Sequence, residues 1–259
     1  MTIGYTRVGH GPALVLLHGG MEDRRAWLPQ LDHLAKDFTL YLWDAPGCGV
    51  SDDPPVDWRM PQYADAVAGW LAEIGVERAA IGGVSWGSTL ALEVYRRHPQ
   101  LVSALVLVGA YAGWAGSLPP EEVKRRLDAL LEELQLPAEQ WASAYIPTML
   151  TDNAPQEVRD VMAALMAETR VSGALPMLRA MAAADLRSVL GTIRVPTLLL
   201  YGEHDVRSPL EVAEQMHVAI PGSRLVVVPG AGHCCNAEAP GEFNRAVREF
   251  LRSVGTGSG

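Results

Sequence analysis

Apolar residues in this chain fall into short unbroken runs separated by stripes of helical period. The runs Ala13–Leu17, Thr39–Trp43, Ala79–Val84, Ala104–Val108, Thr197–Tyr201 and Leu225–Val228 carry almost no polar side chain. Strands of this kind are buried on both faces, which predicts a mostly parallel sheet covered by helices. Thr2–Val8 alternates less regularly and runs into the turn cluster Gly9-His10-Gly11-Pro12. It is predicted to be an edge strand, in an antiparallel hairpin with Ala13–Leu17. Tyr63–Ile74 places Val67, Trp70, Leu71 and Ile74 on one helical face and stops at Gly75. Trp86–Arg97 leaves a strand directly and ends before His98-Pro99, where proline forbids continuation. Leu210–Ala219 and Glu242–Val254 complete the alternation, which predicts right-handed βαβ units in a doubly wound α/β sheet.

From Tyr111 to Gly191 the alternation stops. Glu121–Leu136 sets Val123, Leu127, Leu130, Leu131 and Leu134 on one stripe, and Gln156–Thr169 repeats the pattern with Val158, Met162, Leu165 and Met166. Residues 111–191 are therefore expected to form an all-helical lid, inserted in a core made of residues 1–110 and 192–254. Residues 255–259, Gly-Thr-Gly-Ser-Gly, are expected to be a disordered tail. One domain with an insertion suits 259 residues better than two small domains.

Charge removes several function classes. The chain has 30 Asp and Glu against 21 Lys and Arg, a formal charge of −9, and its longest basic run is Lys124-Arg125-Arg126 among Glu121, Glu122 and Asp128. Phosphate binding needs clustered cations, so neither nucleic acid nor an anionic membrane is expected as partner. No apolar stretch approaches the roughly 18 residues of a membrane span. Met1–Arg7 lacks the apolar core of a secretory signal, so a cytoplasmic protein is expected. Cys48, Cys234 and Cys235 fit neither a disulfide framework nor a zinc spacing and read as small packing residues. No Walker loop or dinucleotide fingerprint occurs, so no cofactor is implied. Nothing marks an oligomeric state.

The chemistry gathers at strand ends. Gly83-Val84-Ser85-Trp86-Gly87 matches G-x-S-x-G, with an apolar strand running in and a helix running out. Such a turn projects the Ser85 hydroxyl at the carboxyl end of the sheet, where α/β proteins bind ligands. A serine nucleophile needs a base held in one tautomer by a carboxylate. Asp205, in Tyr201-Gly202-Glu203-His204-Asp205, and His233, in Gly230-Ala231-Gly232-His233, follow two successive strands in the order this fold's triad requires. His18-Gly19-Gly20-Met21 follows the first buried strand and can supply an oxyanion amide beside that of Trp86, from Gly20 first and Met21 second. His18, Asp44 and Ser51 read as structural. Five of the nine methionines (Met149, Met162, Met166, Met177 and Met181) lie in the insertion. With Trp114 and Trp141 they suit either its core or an adaptable apolar pocket.

In these motifs the chain resembles α/β-hydrolase-fold enzymes over essentially its whole length. His-Gly-Gly, Asp44-Ala45-Pro46-Gly47-Cys48-Gly49-Val50-Ser51, Gly-Val-Ser-Trp-Gly, Gly-Glu-His-Asp and Gly-Ala-Gly-His occur in family order. The resemblance implies Ser85 as nucleophile, Asp205 as acid and His233 as base. The segment Gly83–Leu92 and the Gly-Cys-Gly turn are similar to proline iminopeptidases. Those enzymes usually carry His-Gly-Gly-Pro-Gly where this chain has Met21-Glu22, and Asp-Gln-Arg-Gly where it has Asp44-Ala45-Pro46-Gly47. The insertion is also short for that group.

The expected function is hydrolysis of a small, largely apolar carboxylic ester, thioester or lactone. The alternatives are an iminopeptidase-like or small-amide hydrolase, and a hydrolase-fold receptor for a small molecule. An aminopeptidase needs carboxylates facing its substrate's ammonium. Glu121, Glu122, Glu132 and Glu133 flank an apolar stripe and are expected to face solvent, which leaves Glu139, Asp152, Glu157 and Glu168 as candidates.

Overall fold

The computed structural model describes residues 1–255, and the side chains of all of these but Glu139, Ser143 and Ala144. Of the tail expected at residues 255–259, all but Gly255, which is in a turn, lies outside the described residues. Seven strands, β1 (Tyr5–Val8), β2 (Ala13–Leu17), β3 (Thr39–Trp43), β4 (Ala79–Val84), β5 (Val102–Val108), β6 (Thr197–Gly202) and β7 (Arg224–Val228), form one sheet in the order β1-β3-β2-β4-β5-β6-β7. All neighbours run parallel except β1 and β3. The helices are α1 (Leu31–Leu34), α2 (Met60–Glu73), α3 (Trp86–Arg97), α4 (Trp114–Ser117), α5 (Pro120–Glu133) and α6 (Ala138–Met149). They continue with α7 (Gln156–Ala167), α8 (Val171–Ala183), α9 (Arg187–Leu190), α10 (Leu210–Ala219), α11 (Cys235–Glu238) and α12 (Pro240–Ser253). Among the described residues no helix is long and apolar enough to cross a membrane.

The unbroken apolar strands feed two cores, because successive side chains point to opposite faces. Leu14, Leu16, Leu40 and Leu42 pack with Trp27, Leu34, Phe243 and Phe250 on one face. Val15, Leu17, Tyr41 and Trp43 pack with Val67, Trp70 and Leu90 on the other. The helices between β5 and β6 join that second core through Leu130, Trp141, Met166 and Met177.

Three expectations need correction. The first strand does not form a hairpin with β2; it pairs antiparallel with β3, Tyr5 opposite Trp43 and Val8 opposite Leu40. Both edges of β2 are occupied, by β3 and β4, because β2 is the more apolar strand and sits inside. The half-exposed β1 takes the open edge of β3, and Thr39 bonds back to Pro12 (2.9 Å) where the connecting loop crosses. The last strand is not buried on both faces: β7 closes the other edge of the sheet, with Val227 38% exposed. Within the insertion the stripe pattern singles out α5 and α7 alone. The structure adds α6 and α8, which contain Pro147 and Pro176 and so do not advertise themselves as helices.

From β3 the chain crosses behind β2 to reach β4, so strand order reverses between β2 and β4. Crevices at the carboxyl ends of strands flanking such a reversal are where open α/β sheets bind ligands. The turn after β2 holds Gly20, and the turn after β4 holds Ser85.

Candidate active site

Ser85 occupies the one-residue turn between β4 and α3 with φ 53° and ψ −113°, a conformation that costs a non-glycine residue strain. The flanking glycines make it possible. A Cβ on Gly83 would lie 2.3 Å from the Gly87 carbonyl carbon, and one on Gly87 would lie 2.2 Å from Leu17 O. The turn is fastened to β5, because the Ser85 amide donates to Val108 O at 2.8 Å and Ser88 Oγ accepts the Val108 amide at 2.9 Å.

Asp205 and His233 meet at the ends of β6 and β7. The two are 5% and 1% exposed. Asp205 Oδ2 lies 2.8 Å from His233 Nδ1, while Oδ1 accepts the Arg207 and Ser208 amides at 2.9 and 2.8 Å. A carboxylate only accepts, so Nδ1 carries the proton and Nε2 is the acceptor. That Nε2 is buried and, among the described residues, has no hydrogen-bond partner, the Ser85 hydroxyl included. Nucleophile–base hydrogen bonds are often long before substrate arrives. Gly109 follows the Val108 that holds Ser85, and a Cβ on it would lie 2.9 Å from the His233 ring and 3.3 Å from Asp205 Oδ2. The end of β5 thus touches both groups, with Val108 holding the Ser85 turn and Gly109 lying against the His233–Asp205 pair.

The His233 turn is anchored on both sides. The Cys234 amide donates to Met149 O in the insertion at 3.0 Å. Glu238 accepts the Gly232 amide at 2.8 Å and the insertion's Thr151 amide at 3.1 Å.

Ser85, Gly20, Met21 and Trp86 line a narrow cavity of about 20 Å³. Trp86 opens α3, so its N–H has no acceptor within the helix. A Cβ on Gly20 would lie 3.9 Å from Trp86 Cβ. Met21, at φ 62°, is buried, and its carbonyl accepts Thr169 Oγ1 at 3.0 Å. The rest of the wall is Trp114, Tyr145, Met149, Leu178, Met181 and Arg207. Of the expected pocket residues, Met149, Met181 and Trp114 reach this cavity, whereas Met166, Met177 and Trp141 are core. His233 lines a neighbouring cavity of about 310 Å³, with Met149 as the shared wall.

The candidate acids lie elsewhere. Asp152 lines the His233 cavity, Glu157 lines an outer groove and Glu168 pairs with Arg25 at 2.5 Å. The Glu139 side chain lies outside the described residues. Glu133 does not face solvent as expected: its Oε2 is buried, without a partner among the described residues, because the end of α5 packs beside Tyr145 and Arg207.

His18 and Asp44 hold the turns. A backbone N–H of Ala45 donates to His18 Nε2 at 3.0 Å, so Nδ1 carries the proton that meets Gly19 O at 2.7 Å. Burial pushes this histidine's pKa down, in keeping with a neutral structural ring. Asp44 accepts the amides of Arg24 and Val50 at 2.9 and 3.0 Å, and its carbonyl accepts Ser51 Oγ at 2.7 Å.

Sequence reasoning passed over Glu22, since an acidic pair in a turn reads as solvated. Glu22 is 4% exposed, accepts the Gly19 amide at 2.9 Å and lies 3.9 Å from Cys234 Sγ. Burial pushes its pKa up to about 7, against the pull of the Gly19 bond. The unfolded chain releases this proton near pH 4.5 while the folded chain keeps it to about pH 7. The stabilisation is therefore complete below pH 4.5 and is lost as pH rises to 7, by about 3 kcal/mol. Glu22→Gln keeps an acceptor for Gly19 and removes the titration. Its stability relative to the parent, from urea unfolding, is expected to rise between pH 5 and pH 8. An unchanged difference would mean that Glu22 titrates normally.

A family profile described as the alpha/beta hydrolase fold matches residues 12–240. The chain belongs to that family and is a hydrolase of the α/β fold. It is 29% identical over 260 residues to a pimeloyl-[acyl-carrier protein] methyl ester esterase of Chromobacterium violaceum, covering 98% of this chain and 99% of that protein. Among solved structures, a malate-bound thermophilic esterase from Thermogutta terrifontis superposes with a TM-score of 0.90 at 28% identity, covering 97% and 93% of the two chains. The enol-lactonase from Burkholderia xenovorans LB400 gives a TM-score of 0.88 at 25% identity, covering 96% of each chain.

Proposed function

We propose that the protein is a cofactor-independent serine hydrolase that cleaves a small, largely apolar carboxylic ester, thioester or lactone. The observation that carries this reading is the His233 Nε2, buried and unpartnered among the described residues, with its other nitrogen held by Asp205 and its ring against Gly109, next to the Val108 that holds the strained Ser85 turn. In this mechanism Ser85 Oγ attacks the acyl carbon while His233 Nε2 takes its proton. Asp205 keeps the tautomer and stabilises the imidazolium. The Gly20 and Trp86 amides receive the oxyanion as the carbonyl oxygen gains charge. His233 then gives its proton to the leaving oxygen or sulfur, the acyl group remains on Ser85, and a water activated by the same nitrogen releases the acid. The helices of residues 111–191 act as the lid, contributing the apolar walls Tyr145, Met149, Leu178 and Met181.

The wall supports an ester over an N-terminal proline substrate, because among the described residues the side chains lining the Ser85 cavity include no carboxylate to receive an ammonium. Short-to-medium-chain aryl esters are expected to exceed prolyl anilides in kcat/KM by at least about tenfold, or about 1.4 kcal/mol. Ester reactivity contributes to that gap, so an N-acyl prolyl anilide belongs in the assay. A free-amine prolyl anilide that outran both would establish the iminopeptidase reading.

A further inference from the structure

Among the described residues the Ser85 cavity has one charged side chain in its wall. Arg207 lies two residues past Asp205, and its backbone is committed: the amide donates to Asp205 Oδ1 at 2.9 Å, and the carbonyl accepts Arg126 Nη1 at 3.1 Å. Its guanidinium lies 4.4 Å over the Tyr145 ring, and Nη1 donates to Thr148 Oγ1 at 3.1 Å. Among the described residues it forms no ion pair, whereas neighbouring Arg126 is paired with Glu122. Arg207 also lines a second groove, distinct from that of Glu157, in whose wall Glu133 stands. Burial pushes the pKa of that carboxyl up and the Arg207 charge pulls it back, and among the described residues the two groups form no ion pair. A planar fork of donors, held by an aromatic face and a hydroxyl with most of its N–H groups uncommitted, is suited to a carboxylate.

We propose that Arg207 is a specificity-determining residue that binds a second, ionised carboxylate on the acyl part of the substrate. The preferred substrates are then monoesters of short dicarboxylic acids, or lactones that carry a carboxylate. The inference rests on the ester-hydrolase reading for the chemistry at Ser85 and adds the charge at the far end of the acyl chain. The reacting carbonyl sits at Ser85, the methylenes lie along Met149 and Tyr145, and the carboxylate meets the guanidinium. Two ions that meet in a half-buried site lose hydration, and the match of charge and fork geometry offsets that cost.

The test compares matched pairs of aryl monoesters with three to six acyl carbons. One member ends in a free carboxylate and the other in its methyl ester, with the spontaneous rate subtracted. For the parent protein the ratio of kcat/KM, acid over neutral, is expected to be at least about tenfold at the best chain length and to shrink with added salt. Arg207→Met is expected to bring the ratio to one or below, and Arg207→Lys to retain part of it. A parent ratio of one or less at every length, or an unchanged ratio in Arg207→Met, would overturn the assignment. Calorimetric binding of the same pairs to the Ser85→Ala protein decides the question without turnover. Tighter binding of the acid member supports the Arg207 role, and equal or weaker binding rejects it, even if a variant fails to fold. If no ester is hydrolysed while the acid still binds preferentially, the hydrolytic reading falls and the carboxylate site stands.

Discussion

Ser85→Ala is expected to lower kcat/KM on esters by about 10⁵-fold or more, while the thermal transition stays in place. The size follows from the concerted use of the triad, in which loss of the nucleophile alone removes nearly all that the triad provides. Two features set Ser85 apart from other hydroxyls at the same end of the sheet. Its backbone is strained to φ 53°, which aims the side chain outward, whereas Ser88 Oγ donates to Gly83 O and accepts the Val108 amide. A fluorophosphonate is therefore expected to label the chain once, at Ser85, and not to label the alanine variant. The buried thiols do not compete, because burial pushes Cys48, Cys234 and Cys235 well above the range in which thiolates form at neutral pH. Labelling at another residue, or alanine-variant activity within tenfold of the parent, would remove Ser85 from the mechanism.

The second large effect belongs to Asp205. Asp205→Asn is expected to reduce kcat by about 10⁴-fold, because an amide can donate to Nδ1 and stabilise the wrong tautomer of His233. Asp205 Oδ1 also organises its own loop through the Arg207 and Ser208 amides, so a thermal scan must accompany the kinetics. Glu203 is the internal control. It stands on the same strand end but is exposed, and its carboxylate caps the Gly230 amide at 2.9 Å. Glu203→Gln is expected to stay within about threefold of the parent, as surface substitutions away from a special feature usually do. A larger loss in Glu203→Gln than in Asp205→Asn would reverse the choice of acid.

Strand bounds were readable where a run of apolar residues meets glycine or a charged loop, and β2, β3 and β4 begin and end where the pattern says. Pairing was not readable to the same degree. Which edge β1 joins depends on β2 having both neighbours filled, a property of the assembled sheet. The helices with internal prolines were hidden because local propensity argues against them while tertiary packing of Leu178 and Met181 holds them. The expected placement of Ser85, Asp205 and His233 came from motif context, since each follows an apolar strand. Glu22 and Arg207 were illegible for another reason. A charged residue in a turn is ordinarily solvated, and only the folded wall reveals that one is buried and the other faces a cavity.

The two bonds that pin the His233 turn to the insertion bear on how such enzymes can be re-engineered. Met149 supplies the carbonyl for Cys234, and Thr151 shares Glu238 with Gly232. A chimera that exchanges residues 111–191 for those of another hydrolase therefore does not merely change a substrate-facing cover. It also removes the supports on either side of His233, the proposed general base. Transplanting specificity onto this scaffold calls for keeping the segment from Met149 to Thr151, or for carrying over the donor's own histidine turn with its helices. The module boundary that matters for design runs through the insertion, not along its ends.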